Sequence, residues 1–337
     1  MKSHLFDRAF LDGLIASPDI AHLIQDLSET GYGPDLVEEL IHGRTAAQVD
    51  DALRANMVRT FQKVMGFLNE EGRDILTTLL GRWDVFNLKT IMRGKQMQLS
   101  AGEIQEGLLP LGYLAQTDLD ALSLQNDIKG VVDTAATWGL PYANTMSQGY
   151  AEYMKSGELA DLELAMDRYY ADWASERLSG RRSNKKIAKR ILGIQIDIMN
   201  LVMVFRLQKA DMESVDVDSF FLEGGIGVDI DLYRELAQMS DVDEVLDRLR
   251  GTIYGQTLDD VAMQYLEENS IAVFERSLED YLMRKALSLG TGDPLGVGVA
   301  IAYLWAKANE ITNLRIIVKG KSVGMPVERV RGELILV

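Results

Sequence analysis

Three pairs of acidic and asparagine side chains are the first feature of this sequence that could do chemistry. In each pair the acid stands three residues before the asparagine. The pairs are Asp84 with Asn87, Asp197 with Asn200, and Glu310 with Asn313. A carboxylate beside an amide can activate water, so a hydrolase that uses these pairs is one interpretation. Residues three apart are neighbours on a helix and can instead bond to a facing helix, and we favour this structural role because enzymes rarely keep three active sites.

The three pairs recur at a constant period. Asn87, Asn200 and Asn313 are separated by the same interval of 113 in the numbering, and three such periods come within two residues of the chain length of 337. A repeat of this length matches the commonest domain size of roughly 100–150 residues. The sequence therefore predicts three similar domains, at residues 1–112, 113–225 and 226–337.

Each pair lies in a segment whose apolar residues recur at helical spacing. The apolar residues are Val85, Leu88, Ile91 and Met92 in the first segment, Ile198, Leu201, Val204 and Phe205 in the second, and Ile311, Leu314, Ile317 and Val318 in the third. Such a stripe faces a protein core. A cation follows each asparagine by six residues. We therefore expect three core helices on which the acids and asparagines are buried and hydrogen-bonded.

Signals for helix ends recur along the chain, whereas alternating strand patterns are nearly absent. Ser17 before Pro18 and Asp293 before Pro294 each place a capping residue ahead of a proline suited to the first helical turn. Ser100 with Glu103 forms a capping box. The sequence therefore predicts an all-α fold.

Three tyrosines also recur in near register with the repeat. Tyr32, Tyr142 and Tyr254 are separated by intervals of 110 and 112 in the numbering, and each lies in a glycine-containing or proline-containing segment. We expect them to mark equivalent turns between helices.

The charge of the chain limits its partners. A formal net charge of −16 opposes binding to nucleic acid, or to anionic lipid over the whole surface. Residues 181–190 differ, because they contain six cations and no acid. These are Arg181, Arg182, Lys185, Lys186, Lys189 and Arg190. We call them the basic patch, which is either a solvated helix face or a docking surface for an acidic partner.

Residues that would support other chemistry are missing or badly spaced. The chain has no cysteine, which excludes disulfides and thiol nucleophiles, and its histidines at positions 4, 22 and 42 suggest no metal site. The segment from Gly320 to Ser322 resembles the end of a P-loop, but Arg315 stands where that motif requires glycine. We expect no metal, no cofactor and no catalytic residue.

The chain also lacks a predicted membrane span or signal peptide. Charged residues follow Met1 too closely for a signal peptide, and the longest apolar run, Leu295–Ala306, has 12 residues, whereas a span needs about 20. We expect a peripheral location on the cytoplasmic side of a membrane.

Several segments together resemble one known family. They are Leu27–Gly33, Asp84–Lys95, Asn200–Gln208, Phe220–Gly225 and Asp293–Tyr303. In this order they resemble the C subunit of the archaeal and bacterial V/A-type ATP synthases, whose counterpart in vacuolar ATPases is the d subunit. The resemblance runs from about residue 1 to 334. It implies a funnel of three similar helical domains around a pseudo-threefold axis.

The same resemblance implies a function without catalysis. Such a protein is a rotor adaptor, which seats the central stalk shaft on the membrane ring of proteolipid subunits and passes torque in ATP-coupled proton or sodium transport. It would touch the membrane only through the complex, would bind no nucleic acid, and would be a monomer when isolated. The alternative from another class is the hydrolase that uses the acid–asparagine pairs. A generic helical-repeat scaffold is a second alternative, also a binding protein, although a solenoid stacks open-ended whereas three fused copies should close into a ring.

Overall fold

The computed structural model describes residues 5–209, 216–291 and 296–336. These residues form helices and turns without a strand, which confirms the predicted all-α fold. The first α-helices are α1 (Arg8–Ala16), α2 (Ile20–Ser28), α3 (Gly33–Glu39), α4 (Ala46–Phe67), α5 (Glu70–Gln96) and α6 (Ala101–Gln105). The next are α7 (Gln116–Ser123), α8 (Ile128–Thr137), α9 (Ala143–Ser156), α10 (Leu159–Arg177) and α11 (Ser183–Lys209). The last are α12 (Ile230–Ala237), α13 (Val242–Leu249), α14 (Gly255–Asp259), α15 (Ala262–Glu268), α16 (Ala272–Ser288), α17 (Val297–Ser322) and α18 (Val327–Glu333).

The three predicted core helices are the long helices α5, α11 and α17, which we call the key helices. They have 27, 27 and 26 residues and begin at positions 70, 183 and 297, close to the period of the repeat. Their predicted apolar stripes are buried, for example Leu88, Leu201 and Leu314. Burial of one face of each helix supplies most of its stability, because helix propensity alone is marginal in water.

Short polar side chains fix several helix starts. Ser100 and Glu103 form the predicted capping box at the start of α6. The predicted cap at Ser17 is wrong: α1 ends at Ala16, and α2 starts after Asp19, whose carboxylate accepts the backbone N–H of His22. A carboxylate satisfies the free N–H groups of a helix start as well as a hydroxyl does, so Asp19 can take the place of Ser17. The predicted cap at Asp293 lies outside the described residues.

Two compact units make up the chain. The first comprises residues 1–73, 109–111 and 286–337. Within it, α17 packs against α4 and contacts α1, α2 and α18. Its core includes Leu14, Leu23, Leu27, Leu36, Leu53, Met57, Ile301, Leu304, Ile311 and Leu314. The N-terminal and C-terminal parts of the chain are therefore folded together in one core.

The second unit comprises residues 74–108 and 112–285. Within it, α10 packs against α9 and α11, and α11 packs against α12. Its core includes Leu88, Ile91, Leu119, Leu122, Met146, Leu162, Met166, Leu201, Phe205 and Phe274. The division into domains at 1–112, 113–225 and 226–337 stays a prediction.

Candidate functional site

The acid of the first key helix is buried and holds the backbone ahead of a short helix. Asp84 is 1% exposed. Its two carboxylate oxygens accept the backbone N–H groups of Tyr113 at 2.8 Å and Leu114 at 3.0 Å. Helix α7 begins just beyond, after the N-cap residue Ala115. The carboxylate therefore fixes the point at which the chain enters α7.

The acid of the second key helix makes the same contact one period later. Asp197 is fully buried, and it accepts the backbone N–H groups of Ile226, Gly227 and Val228 at 3.0, 2.8 and 3.0 Å. Val228 directly precedes Asp229, the N-cap of α12. Asp197 thus holds the start of α12 as Asp84 holds the start of α7.

The acid of the third key helix makes the equivalent contact with the N-terminal part of the chain. Glu310 is 5% exposed, and its Oε2 accepts the backbone N–H of Phe6 at 2.5 Å. Phe6 directly precedes Asp7, the N-cap of α1. The last key helix therefore holds the first helix, and the three contacts follow one another in cyclic order.

The three tyrosines noted in the sequence are the second set of partners of these acids. The hydroxyl of Tyr142 lies 3.4 Å from Asp84, that of Tyr254 donates to Asp197 at 2.6 Å, and that of Tyr32 donates to Glu310 at 2.6 Å. Each tyrosine is the N-cap residue of a following helix, namely α9, α14 or α3. The expected equivalence of these turns is confirmed, and each acid bonds to two successive parts of the chain.

Two glycines allow the first two loops to approach their acids. A Cβ atom on Gly112 would lie 2.1 Å from an oxygen of Asp84, and one on Gly225 would lie 2.0 Å from an oxygen of Asp197. Both distances are far below a van der Waals contact. The two glycines are separated by the same interval of 113 as the asparagines, and this spacing was a signal in the sequence that could have identified them.

The third contact differs because it contains a buried cation. Lys307 Nζ donates to Glu310 Oε1 at 2.9 Å and to Tyr32 Oη at 2.7 Å, and it lies 4.0 Å from the centre of the Tyr32 ring. Both members of the Lys307–Glu310 pair are almost fully buried. Among the described residues, Glu310 accepts one backbone N–H where Asp197 accepts three, and the positive charge of the lysine compensates for this difference.

The asparagines of the key helices also bond to backbone groups. Asn200 donates to the carbonyl of Leu222 at 2.9 Å and accepts its N–H at 2.9 Å. Asn313 makes the same two bonds with Ile335, at 2.9 and 3.1 Å. Asn87 is fully buried on α5. The amides of Asn200 and Asn313 therefore each pair with one residue of the chain as a neighbouring strand would.

A third repeated contact was missed by reasoning from the sequence. The residues eight positions after each asparagine are Lys95, Gln208 and Lys321, and all three end in N–H donors. Lys95 donates to the carbonyl of Ser123 at the end of α7, Gln208 to that of Leu236 near the end of α12, and Lys321 to that of Ile15 near the end of α1. Each key helix thus holds both ends of one short helix, and donors at a helix C-terminus satisfy its free carbonyls.

Burial governs the ionisation of Asp84 and Asp197. It raises the pKa of Asp84 to about 6, although the N–H groups of Leu114 and Tyr113 act in the opposite direction. Burial also raises the pKa of Asp197 and the pKa of its partner Tyr254. Burial lowers the pKa of Lys307, against the attraction of Glu310.

These contacts determine what the acids can do chemically. The oxygens of Asp84, Asp197 and Glu310 accept bonds from backbone and tyrosine donors, so they hold helices where a hydrolytic acid would hold water. In the described ranges, no group of three or more histidine and acidic side chains is placed to hold a metal ion. His4 and the side chain of His42 lie outside the described part of the chain.

The basic patch lies apart from these buried contacts, on the turn before α11 and its first two turns. Arg181, Arg182, Lys186, Lys189 and Arg190 are exposed, and Lys185 is half-buried. Lys185 Nζ donates to the carbonyl of Arg177 at the end of α10, at 2.7 Å. The patch is therefore a surface feature of the second compact unit.

Comparison with known proteins places the chain in a family. The family of ATP synthase (C/AC39) subunits matches residues 1–333. The chain belongs to this family. The C subunit of an A-type ATP synthase from Methanobrevibacter smithii is 31% identical over 99% of this chain and 85% of its own length. The C subunit of a V-type ATP synthase from Deinococcus radiodurans is 29% identical over 99% of this chain and 88% of its own length. The resemblance seen in the sequence is thereby confirmed.

Membership of the ATP synthase (C/AC39) family makes the chain a subunit of a rotary ATP synthase, a membrane-associated complex. Among the described residues, one helix of this protein, α11, is long and apolar enough to cross a membrane by length and composition alone. Of its most apolar 18-residue window, 67% is buried inside the protein. The apolar residues of α11 therefore belong to the protein core, which is a common reason for a helix to pass this test.

Proposed function

We propose that this ATP synthase subunit is the rotor adaptor of a V/A-type complex, which seats the central stalk shaft on the membrane rotor ring. The observation that carries the proposal is the cyclic set of contacts made by Asp84, Asp197 and Glu310. Each contact ties a key helix to the next short helix, and the last ties the C-terminal third to the N-terminal helix α1. A chain whose first and last thirds are held in this way resists unwinding under torque, as an adaptor must.

We further propose that the three repeats are similar domains arranged around a pseudo-threefold axis, as in a funnel. The support is that the repeated acids, tyrosines and donors at positions 95, 208 and 321 use equivalent partners. An open-ended scaffold has no reason to bond its last key helix to the start of its first helix. The cyclic order therefore favours the adaptor over a helical-repeat scaffold.

The adaptor is proposed to be non-catalytic. Its acids and asparagines, the only candidates for hydrolysis that the sequence offered, are engaged in buried bonds to backbone and tyrosine groups. Torque in ATP-coupled proton or sodium transport then passes through the protein without chemistry on it. Its partners are the shaft and the proteolipid ring on the cytoplasmic side, and its membrane contact is through the complex.

Isolation of the complex tests this proposal. An affinity-tagged copy of the chain is expressed in the cells that naturally contain it, and their membranes are solubilised in mild detergent. The proteins that co-purify with the tagged chain are then identified. Shaft and proteolipid subunits should appear in constant proportion to the chain. Recovery of the chain alone, or with proteins unrelated to ATP synthesis, would contradict the adaptor role.

A further inference from the structure

The basic patch distinguishes one repeat from the other two. Shifting its six positions by one repeat period in either direction gives Leu68, Asn69, Gly72, Arg73, Leu76 and Thr77, and Pro294, Leu295, Gly298, Val299, Ala302 and Tyr303. Only Arg73 among these twelve is charged. The repeated pattern therefore does not need cations at these positions, since two copies of it are built without them.

The patch also lies at the N-terminal end of α11, where cations are unfavourable for helix stability. The N-terminus of a helix carries a partial positive charge, which favours acids there and disfavours cations. Helix α5 follows this rule with Glu70 and Glu71 in its first turn, whereas α11 has no acid in its first turn. Helix stability thus does not account for the patch.

Most of the patch has no ion-pair partner within the described chain. Arg181, Lys186, Lys189 and Arg190 are exposed and form no ion pair with the described residues. Lys185 caps the end of α10 through the carbonyl of Arg177, so its role is structural. These four exposed cations form no ion pair with the described residues and are available to an external anion.

We propose that the basic patch docks an acidic segment of one protein partner, on this repeat alone. A membrane surface is the poorer partner, because a flat layer of anionic lipid would also face the rest of a chain whose net charge is −16. A compact acidic segment meets only the patch. The proposal rests on the proposed function for its setting, where a single off-axis contact would fix the rotational register of the adaptor on its partner.

Binding of a fluorescent oligoglutamate peptide to the full chain tests the patch directly. The variant Arg181→Glu, Lys186→Glu, Lys189→Glu should bind the peptide about tenfold more weakly or worse, since three attractive contacts become repulsive. Added salt should weaken binding to the unchanged protein, because salt screens exposed charges. The melting temperature of the variant should not fall, since acids suit the start of α11.

A matched control separates the patch from total charge. The variant Arg44→Glu, Lys63→Glu, Arg329→Glu changes the net charge equally at exposed cations that also form no ion pair with the described residues. It should bind the peptide within about twofold of the unchanged protein if the patch is the site. Equal weakening by both variants would overturn the proposal.

Binding to lipid vesicles and co-purification with an ATP synthase distinguish the remaining possibilities. Vesicles of equal parts phosphatidylcholine and phosphatidylglycerol should bind the unchanged chain no better than they bind the triple patch variant, and patch-dependent vesicle binding without peptide binding would overturn the proposal. If the peptide binds as expected but the chain does not co-purify with an ATP synthase, the proposed function fails and the patch stands. If the chain co-purifies with an ATP synthase but peptide binding does not depend on the patch, the patch proposal fails and the adaptor role stands.

Discussion

The acid of the third key helix, Glu310, differs from the equivalent acids because it forms an ion pair with the buried Lys307. The equivalent acids Asp84 and Asp197 face loops that continue the chain, whereas Glu310 faces the segment before α1. A buried ion pair is tolerated only where both charges are fully bonded. Lys307 meets this condition through Glu310, Tyr32 and the tyrosine ring. Removal of either charge alone would leave the other buried and unpaired.

Replacement of a key-helix asparagine should destabilise the fold. Asn200→Ala leaves the N–H and carbonyl of Leu222 unpaired in the interior, so we expect a loss of about 1–3 kcal/mol in the free energy of unfolding. Urea denaturation measures this loss. Asn144→Ala, on an exposed position of α9, is the control and should change stability by less than about 0.5 kcal/mol. Equal stability of the two variants would refute the structural role of Asn200.

The titration of Asp84 should make stability fall as pH rises. Its pKa is raised to about 6 in the folded protein, against about 4 when exposed, so folding favours the protonated form. The corresponding stabilisation, about 3 kcal/mol, is complete below about pH 4 and is lost as pH rises through about 6. Because other groups titrate too, the measured quantity is the stability difference between the unchanged protein and Asp84→Asn. A difference that stays constant from about pH 4 to about pH 7 would contradict the shifted pKa.

At the scale of helices, the sequence predicted which face of a helix is buried better than it predicted which distant residues bond to that face. The apolar spacing around Asn87, Asn200 and Asn313 located the key helices, because burial of one face follows from helical period. The acids and tyrosines were both noted as repeats, yet nothing in one sequence states that they bond across 57 or 58 residues in two repeats and 278 in the third. Partners distant in sequence are set by tertiary packing.

Side chains that share a function without sharing a type were hidden for another reason. Lys95 and Lys321 are charged whereas Gln208 is neutral, so the three equivalent positions do not share one residue type. What they share is an N–H donor long enough to reach the carbonyls of α7, α12 and α1. The donor became apparent only once the helix ends were placed beside it.

Loss of one of these donors should loosen the helix that it holds. Lys321→Met removes the bonds to the carbonyls of Ile15 and Ser17 at the end of α1, with a cost of about 1–2 kcal/mol. Hydrogen exchange should accelerate in α1 more than in α4. Lys63→Met, at an exposed position of α4 where the lysine forms no ion pair with the described residues, is the control and should leave exchange in α1 unchanged. Unchanged exchange in α1 of Lys321→Met would show that the bonds do not hold it.

At the scale of the whole molecule, sequence repetition and charge point to one function together. Three repeated sets of buried bonds give a framework without an exposed reactive group among them, and the family is one of ATP synthase subunits. The strongly acidic chain is poorly suited to lipid, which agrees with the protein partners that we propose for it. In the proposed adaptor role the chain transmits force between its partners, so its absence should affect coupling more than ATP chemistry.

Reconstitution of the complex tests this central claim most directly. Membranes that carry the V/A-type ATP synthase but lack this chain are energised with ATP, and hydrolysis and ion uptake are measured before and after the purified chain is added. We predict that ATP hydrolysis occurs without the chain while ATP-driven ion uptake does not, and that addition of the chain restores uptake. Normal ATP-driven ion uptake in membranes without the chain would contradict the adaptor role.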